Sequence, residues 1–183
     1  MKYHRPARTV NGKIGQGGRG ALLEDLVNYT NTLYENRGIA MVQKIPTPIT
    51  PIQMQGSRIT LAFFAEKSTV DYIGIYQGRG LCFDAKECHN KTMPLKNIHP
   101  HQLKFMESFK RCGGYAFLIF YYTEIDRYYF MEYDEIKHFF DRMDQGGRKS
   151  IAFDELKEGN FFDSGDVPVP YIEMLNKYKE ENL

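Results

Sequence analysis

Three side chains in one short stretch have the types and spacing for phosphodiester chemistry: Asp71, Asp84 and Lys86. Residues 69–87 read Thr-Val-Asp-Tyr-Ile-Gly-Ile-Tyr-Gln-Gly-Arg-Gly-Leu-Cys-Phe-Asp-Ala-Lys-Glu. Asp71 opens a strand in which Tyr72, Ile73, Ile75 and Tyr76 surround Gly74. Gln77-Gly78-Arg79-Gly80 supplies turn chemistry, and Leu81-Cys82-Phe83 is a short buried strand that Asp84-Ala85-Lys86 ends. Side chains alternate along a strand, so Asp84 and Lys86 share one face and Ala85 takes the other. Pairing of the two strands brings Asp71 close to Asp84. Two carboxylates beside an ammonium suit a divalent cation and a phosphate ester. Hard oxygen ligands hold Mg²⁺ and leave it several waters. A metal held in this way activates water and neutralises developing charge, and a nearby ammonium steadies the transition state. An Asp-x-Lys tripeptide also occurs at solvated strand ends, so the pattern gains meaning only from its surroundings.

The rest of the chain has to place these residues. An apolar face at helical spacing (Leu22, Leu23, Leu26, Tyr29, Thr30, Leu33) predicts a helix over 21–36, with Glu24 beside it near the first turn. Residues 38–44 read as a strand. Pro46, Pro48 and Pro51 lack N–H donors, so residues 45–57 make an extended excursion outside any central sheet, and 58–64 return as a strand. The loop 87–97 is polar; 99–112 reads as a helix with Leu103, Phe105, Met106 and Phe109 inward. Tyr115–Tyr122 is an apolar central strand with Arg127–Glu132 as its antiparallel partner, and Tyr133–Met143 is a helix that packs Ile136, Phe139 and Phe140 on the sheet. Residues 151–158 are expected as a short helix and 168–179 as a closing helix with Tyr171, Met174, Leu175 and Tyr178 inward.

These stretches together carry a resemblance. Lys67–Tyr76, Phe83-Asp84-Ala85-Lys86-Glu87, Asn90-Lys91-Thr92, Pro94-Leu95 and His99-Pro100-His101-Gln102 resemble the RecU family, Holliday junction resolvases of Gram-positive bacteria and some of their phages. Arg19-Gly20-Ala21-Leu22-Leu23-Glu24-Asp25-Leu26, Lys44-Ile45-Pro46-Thr47-Pro48 and Gly147-Arg148-Lys149-Ser150-Ile151 are similar to the same family, so the likeness runs in order over roughly residues 19–175. The family commonly has Glu where this chain has Asp84, which keeps the carboxylate and shortens its reach by one methylene.

The resemblance implies a restriction-endonuclease-like α/β fold, a mixed sheet flanked by helices, with residues 45–57 as a stalk between two strands. It implies an endodeoxyribonuclease that resolves four-way DNA junctions by symmetric, Mg²⁺-dependent nicks leaving 5′-phosphate ends, with Mn²⁺ as a substitute metal. Asp71 and Asp84 would hold metal, Thr69 and Gln102 would complete the coordination shell, and Lys86 would orient water. Glu24 would be a carboxylate near the metal, although its residue type alone is more often a helix-dipole acid. Paired nicks need two active sites, hence a C₂ homodimer, with recombinase or branch-migration proteins as further partners. Two other readings stay open. One is a related nuclease of different DNA specificity; the other is a junction-binding recombination factor with a secondary or silent nuclease site.

Composition bounds these readings. A chain of 183 residues with 42% hydrophobic and 26% charged residues reads as one domain with a real core. It has no apolar run long enough for a membrane span and no secretory h-region, and its three cysteines fit reduced thiols, so a cytoplasmic protein is expected. Lys2, Arg5, Arg8, Lys13 and Arg19 are unopposed by any acid before residue 21, so residues 1–18 are expected as a flexible basic arm ahead of a single domain over 19–183. Such an arm is a footprint of phosphate binding; a solvated tail is the plainer reading. Candidate DNA contacts are Arg19, Lys44 and Arg58 at the stalk base, Lys91 in the polar loop, and Arg148 and Lys149 in a basic loop; each also fits a solvated surface.

Overall fold

The computed structural model describes residues 21–64 and 69–181. The basic arm, with Arg19, lies outside the described residues. A six-stranded sheet forms the centre, in the order β1-β4-β5-β7-β8-β10. Its strands are β1 (Ala40–Lys44), β4 (Tyr72–Tyr76), β5 (Arg79–Cys88), β7 (Tyr115–Tyr122), β8 (Arg127–Glu132) and β10 (Phe161–Phe162). Neighbours are antiparallel except β5 and β7, which run parallel. A parallel pair needs a crossover, and α2 (Pro100–Arg111) supplies it.

Helices cover both faces. On one, α1 (Ala21–Asn36) and α4 (Tyr171–Glu181) bury Leu23, Val27, Tyr34, Tyr171 and Leu175 against Leu81, Phe83, Phe117 and Ile119. On the other, α2 and α3 (Tyr133–Asp144) bury Met106, Ile136 and Phe139 against Cys82, Leu118 and Phe120. This alternation fixes which layer each side chain of β5 faces. Tyr72, Phe83, Phe117 and Phe130 stack across β4, β5, β7 and β8 with centroid separations of 4.7, 4.9 and 4.7 Å. No helix among the described residues is long and apolar enough to cross a membrane.

Several expectations change. The buried stripe of α1 is Leu23, Val27, Thr30, Asn31 and Tyr34, while Leu22 and Tyr29 are exposed. The stripe follows i, i+4, i+7, i+8 and i+11, so the predicted face is turned by about one position. β5 does not end at Asp84 but runs through to Cys88, because β7 pairs with it from Leu81 to Cys88. The turn before it is two residues long, Gln77 and Gly78, both at positive φ (49° and 73°), which matches the right-handed twist of the flanking strands. Residues 151–158 do not form a helix. Ser150–Ala152 is β9, paired antiparallel with β6 (Thr92–Pro94), and short 3₁₀ turns follow at Phe153–Glu155 and Glu158–Asn160.

The excursion is a hairpin of its own. β2 (Ile49–Gln55) pairs with β3 (Arg58–Phe64) in a separate two-stranded sheet, and every residue of β2 is exposed. Its turn is Gly56–Ser57, so Arg58 lies opposite Gln55 at the tip and not at the base. Lys44 is at the base, where the Ile45 N–H donates to the Asp71 carbonyl at 2.8 Å.

Gly74 explains how closely β1 approaches β4. A Cβ there would lie 2.3 Å from the Met41 carbonyl oxygen and 2.8 Å from the Val42 Cα, both backbone atoms. Gly74→Ala is therefore expected to lower unfolding free energy by about 1–3 kcal/mol in urea titrations, a strain of the overpacking kind.

Candidate active site

Asp71, Asp84, Lys86 and Gln102 come together at the β4–β5 pair and the first turn of α2. Asp84 lies on the β5 face shared with Cys82, opposite Leu118 in β7, and so points toward α2. It is fully buried, at 0% exposure. A buried carboxylate is costly unless hydrogen-bonded and paired, and both oxygens of Asp84 are engaged. Oδ1 accepts the Asp71 backbone N–H at 2.6 Å. Oδ2 lies 2.8 Å from the Lys86 ammonium and accepts an N–H from Gln102 Nε2. Asp84 and Lys86 share a face, as alternation requires.

Gln102 is 5% exposed and is held from both ends. Its Oε1 accepts the His99 N–H at 3.0 Å, completing a capping box at the start of α2, while its amide nitrogen faces Asp84. Thr69 is half-buried two residues before Asp71.

Asp71 carries the electrostatic strain of the site. Burial, then the Asp84 carboxylate, pushes its carboxyl up to about 6; Lys86 and a hydrogen bond from the Ala85 backbone offset this, and Glu24 adds to it. Glu24 itself ion-pairs with Lys44 at a half-exposed surface, so α1 and the end of β1 are tied beside Asp71.

The candidate DNA contacts separate into groups. Lys44 is engaged with Glu24, and Arg58 stands apart at the hairpin tip. Lys91 and Lys149 are exposed and are joined through the β6–β9 pair; Arg148, also exposed, lies 3.8 Å from Glu155.

Glu87 is a site neighbour that sequence reasoning passed over. Its Oε1 accepts the Leu23 N–H at 3.1 Å, so the last turn of β5 caps α1 and sets where Glu24 stands. A signal for it existed: Gly18-Arg19-Gly20 offers α1 no Ser, Thr, Asp or Asn cap, so the free N–H groups of its first turn need an acceptor from elsewhere.

Among the described residues no three His, Cys, Asp or Glu side chains form a ready metal cluster. The Asp71–Asp84 pair is what the site offers a cation: two hard oxygen donors, one with its proton affinity raised by burial and by its anionic neighbour.

The family model described as recombination protein U, RecU, matches residues 18–177. The chain belongs to the RecU family. It is 39% identical to the Holliday junction resolvase RecU of Bacillus subtilis (strain 168), over 96% of this chain and 91% of that protein. It is 38% identical to that of Staphylococcus saprophyticus, over 91% and 81%, and 35% identical to that of Lactococcus lactis, over 93% and 83%. Among solved structures it is similar to Hjc, a Holliday junction resolvase of Archaeoglobus fulgidus, at 9% identity, a TM-score of 0.36 and coverage of 60% of this chain and 74% of that one.

The raised carboxyl of this RecU-family chain has a measurable sign. Folded Asp71 holds its proton more tightly than the unfolded chain, whose value is 3.8. Stability contributed at this position is therefore lost as pH rises from about 4 through about 6, and the cost persists above. Without divalent cations, Asp71→Asn should stabilise the fold at pH 8 by about 1–2 kcal/mol after solvent screening. It should change little at pH 4; thermal unfolding at the two pH values measures the difference.

Proposed function

We infer that this chain is a metal-dependent endonuclease that resolves four-way DNA junctions. One observation carries the reading: in a RecU-family chain, Asp71 and Asp84 stand side by side with the Lys86 ammonium 2.8 Å from Asp84. The central-sheet order helix, three antiparallel strands, helix, parallel strand, with one acid just before the second strand and the other on the third, supports a restriction-endonuclease-like core. The curated relatives are named for Holliday junction resolution.

Asp71 and Asp84 fit Mg²⁺, or Mn²⁺, because a divalent cation offsets the burial and the mutual repulsion that together hold the Asp71 carboxyl high. When bound, such an ion supplies a Lewis acid and an activated water. The remaining work belongs to the chain. Gln102 fixes Asp84 and keeps its orientation as DNA enters. Lys86, one-fifth exposed, holds its ammonium at the edge of the buried pair. There it can orient a water and accept the charge that builds on the phosphoryl oxygens. Thr69 lies near enough in sequence to complete the shell. Hydrolysis in line would leave a 5′-phosphate and a 3′-hydroxyl. Two symmetric nicks require two such sites, so the working form is a C₂ homodimer.

The test is a labelled synthetic four-way junction with purified protein, in Mg²⁺ or EDTA, beside a linear duplex. Symmetric nicks on opposed strands only with metal are expected, and both Asp71→Asn and Lys86→Ala should lose cleavage by roughly 10²-fold or more. Junction binding by Asp71→Asn should hold or tighten, because a negative charge facing phosphate is gone. Metal-dependent cutting of both substrates alike would replace junction selectivity with a broader nuclease; binding without cutting in either Mg²⁺ or Mn²⁺ would sink the enzyme reading. Cleavage should also fall as pH drops through about 6 and recover with added Mg²⁺, since proton and cation compete for Asp71.

A further inference from the structure

Two stretches far apart in sequence contain no acidic residue. Residues 88–106 hold Lys91, Lys96 and Lys104, and residues 145–153 hold Arg148 and Lys149; Glu87, Glu107, Asp144 and Asp154 stand just outside them. The fold zips these two stretches together. Thr92, Met93 and Pro94 pair with Ala152, Ile151 and Ser150. The ladder extends at both ends, where the Leu95 N–H donates to the Lys149 carbonyl at 3.1 Å and the Phe153 N–H to the Lys91 carbonyl at 2.8 Å. Met93 and Ile151, 2% and 0% exposed, seat the ribbon on the core. Lys91, Lys96, Arg148 and Lys149 are exposed around it.

The ribbon's backbone is hydrogen-bonded from end to end and its charge has one sign. Among the described residues Lys91, Lys96 and Lys149 form no ion pair, and Arg148 reaches only Glu155, at 3.8 Å. Glu155 is already committed to Arg142 and the Ala152 N–H. Four residues of extended chain from Lys91 to Leu95 span roughly 13 Å, about four phosphates of one DNA strand measured along the duplex axis, and Lys96 follows in a 3₁₀ turn at Leu95–Asn97.

Both ends of the connector reach the site. It leaves β5 just after Asp84, Lys86 and Glu87, and it re-enters α2 at His99, whose N–H is held by Gln102. We propose that the β6–β9 ribbon is a phosphate rail that seats the sugar–phosphate backbone of one DNA arm beside the Asp71–Asp84 pair. This deepens the nuclease reading and rests on it for the identity of the DNA. The rail reads charge and spacing, not bases, so it grips every sequence and leaves junction selectivity to other parts of the molecule.

The test compares wild type with Lys91→Ala/Lys96→Ala/Lys149→Ala, and with a control of equal charge change away from the ribbon, Lys137→Ala/Lys157→Ala/Lys177→Ala. Fluorescence anisotropy in EDTA follows binding to a four-way junction and to a linear duplex between about 50 and 200 mM salt. The ribbon variant should bind both DNAs at least tenfold more weakly, and its slope of log affinity against log salt should be shallower by about 2–3. The control should keep the wild-type slope. All three side chains are exposed, so melting temperatures should match. Should the ribbon variant melt early, Lys96→Gln/Lys149→Gln is read instead, with a slope change of about 2 expected. Wild-type slope and affinity in the ribbon variant, or an equal loss in the control, would overturn the rail. Ribbon-dependent binding by a wild type that cuts nothing keeps the rail and removes the nuclease reading; cutting by a wild type whose binding ignores the ribbon does the reverse.

Discussion

The site depends on keeping one fully buried carboxylate charged. Asp84 has no contact with solvent, and its charge is tolerated because three donors converge on it: the Asp71 backbone, the Gln102 amide and the Lys86 ammonium. Those donors come from the start of β4, the first turn of α2 and β5 itself. A missing donor would leave a buried anion under-compensated, at a cost of several kcal/mol. The same three contacts therefore lock two strands and a helix into one arrangement. What stabilises Asp84 also aligns the site.

Asp71 shows the other side of that arrangement. Its N–H serves Asp84, but burial and the same negative charge hold its carboxyl up to about 6. Around this pair the chain spends basic groups sparingly. Lys86 serves Asp84, and Lys44 is drawn off by Glu24. The result is a cluster with more acids than bases, bordered by a basic ribbon. The two regions meet at the connector between β5 and α2.

The scaffold achieves this through strand parity. Even-numbered residues of β5 from Cys82 to Lys86 look toward α2, while Leu81, Phe83 and Ala85 look toward α1. Asp84 and Lys86 therefore meet Gln102, and Glu87 faces back to cap α1 at Leu23. The hairpin β2–β3 is rooted in the same place, since Ile45 bonds to the Asp71 carbonyl.

The sequence by itself determined the local chemistry. Alternation predicted that Asp84 and Lys86 share a face, prolines kept 45–57 out of the central sheet, and the apolar run 115–122 marked the central strand, all of which are local consequences of backbone geometry. The motif resemblance also named Gln102, which residue type alone would leave on the surface. Long-range pairing decided the rest. Parallel pairing with β7 carried β5 past Asp84 to Cys88, and pairing with β6 made a strand of Ser150–Ala152 where a helix was expected. The hairpin turn put Arg58 at a tip. Glu87 found its partner 64 residues away. Hydrogen-bonding needs at a helix start or strand edge are visible in a sequence; which distant segment meets them is settled only when the layers pack.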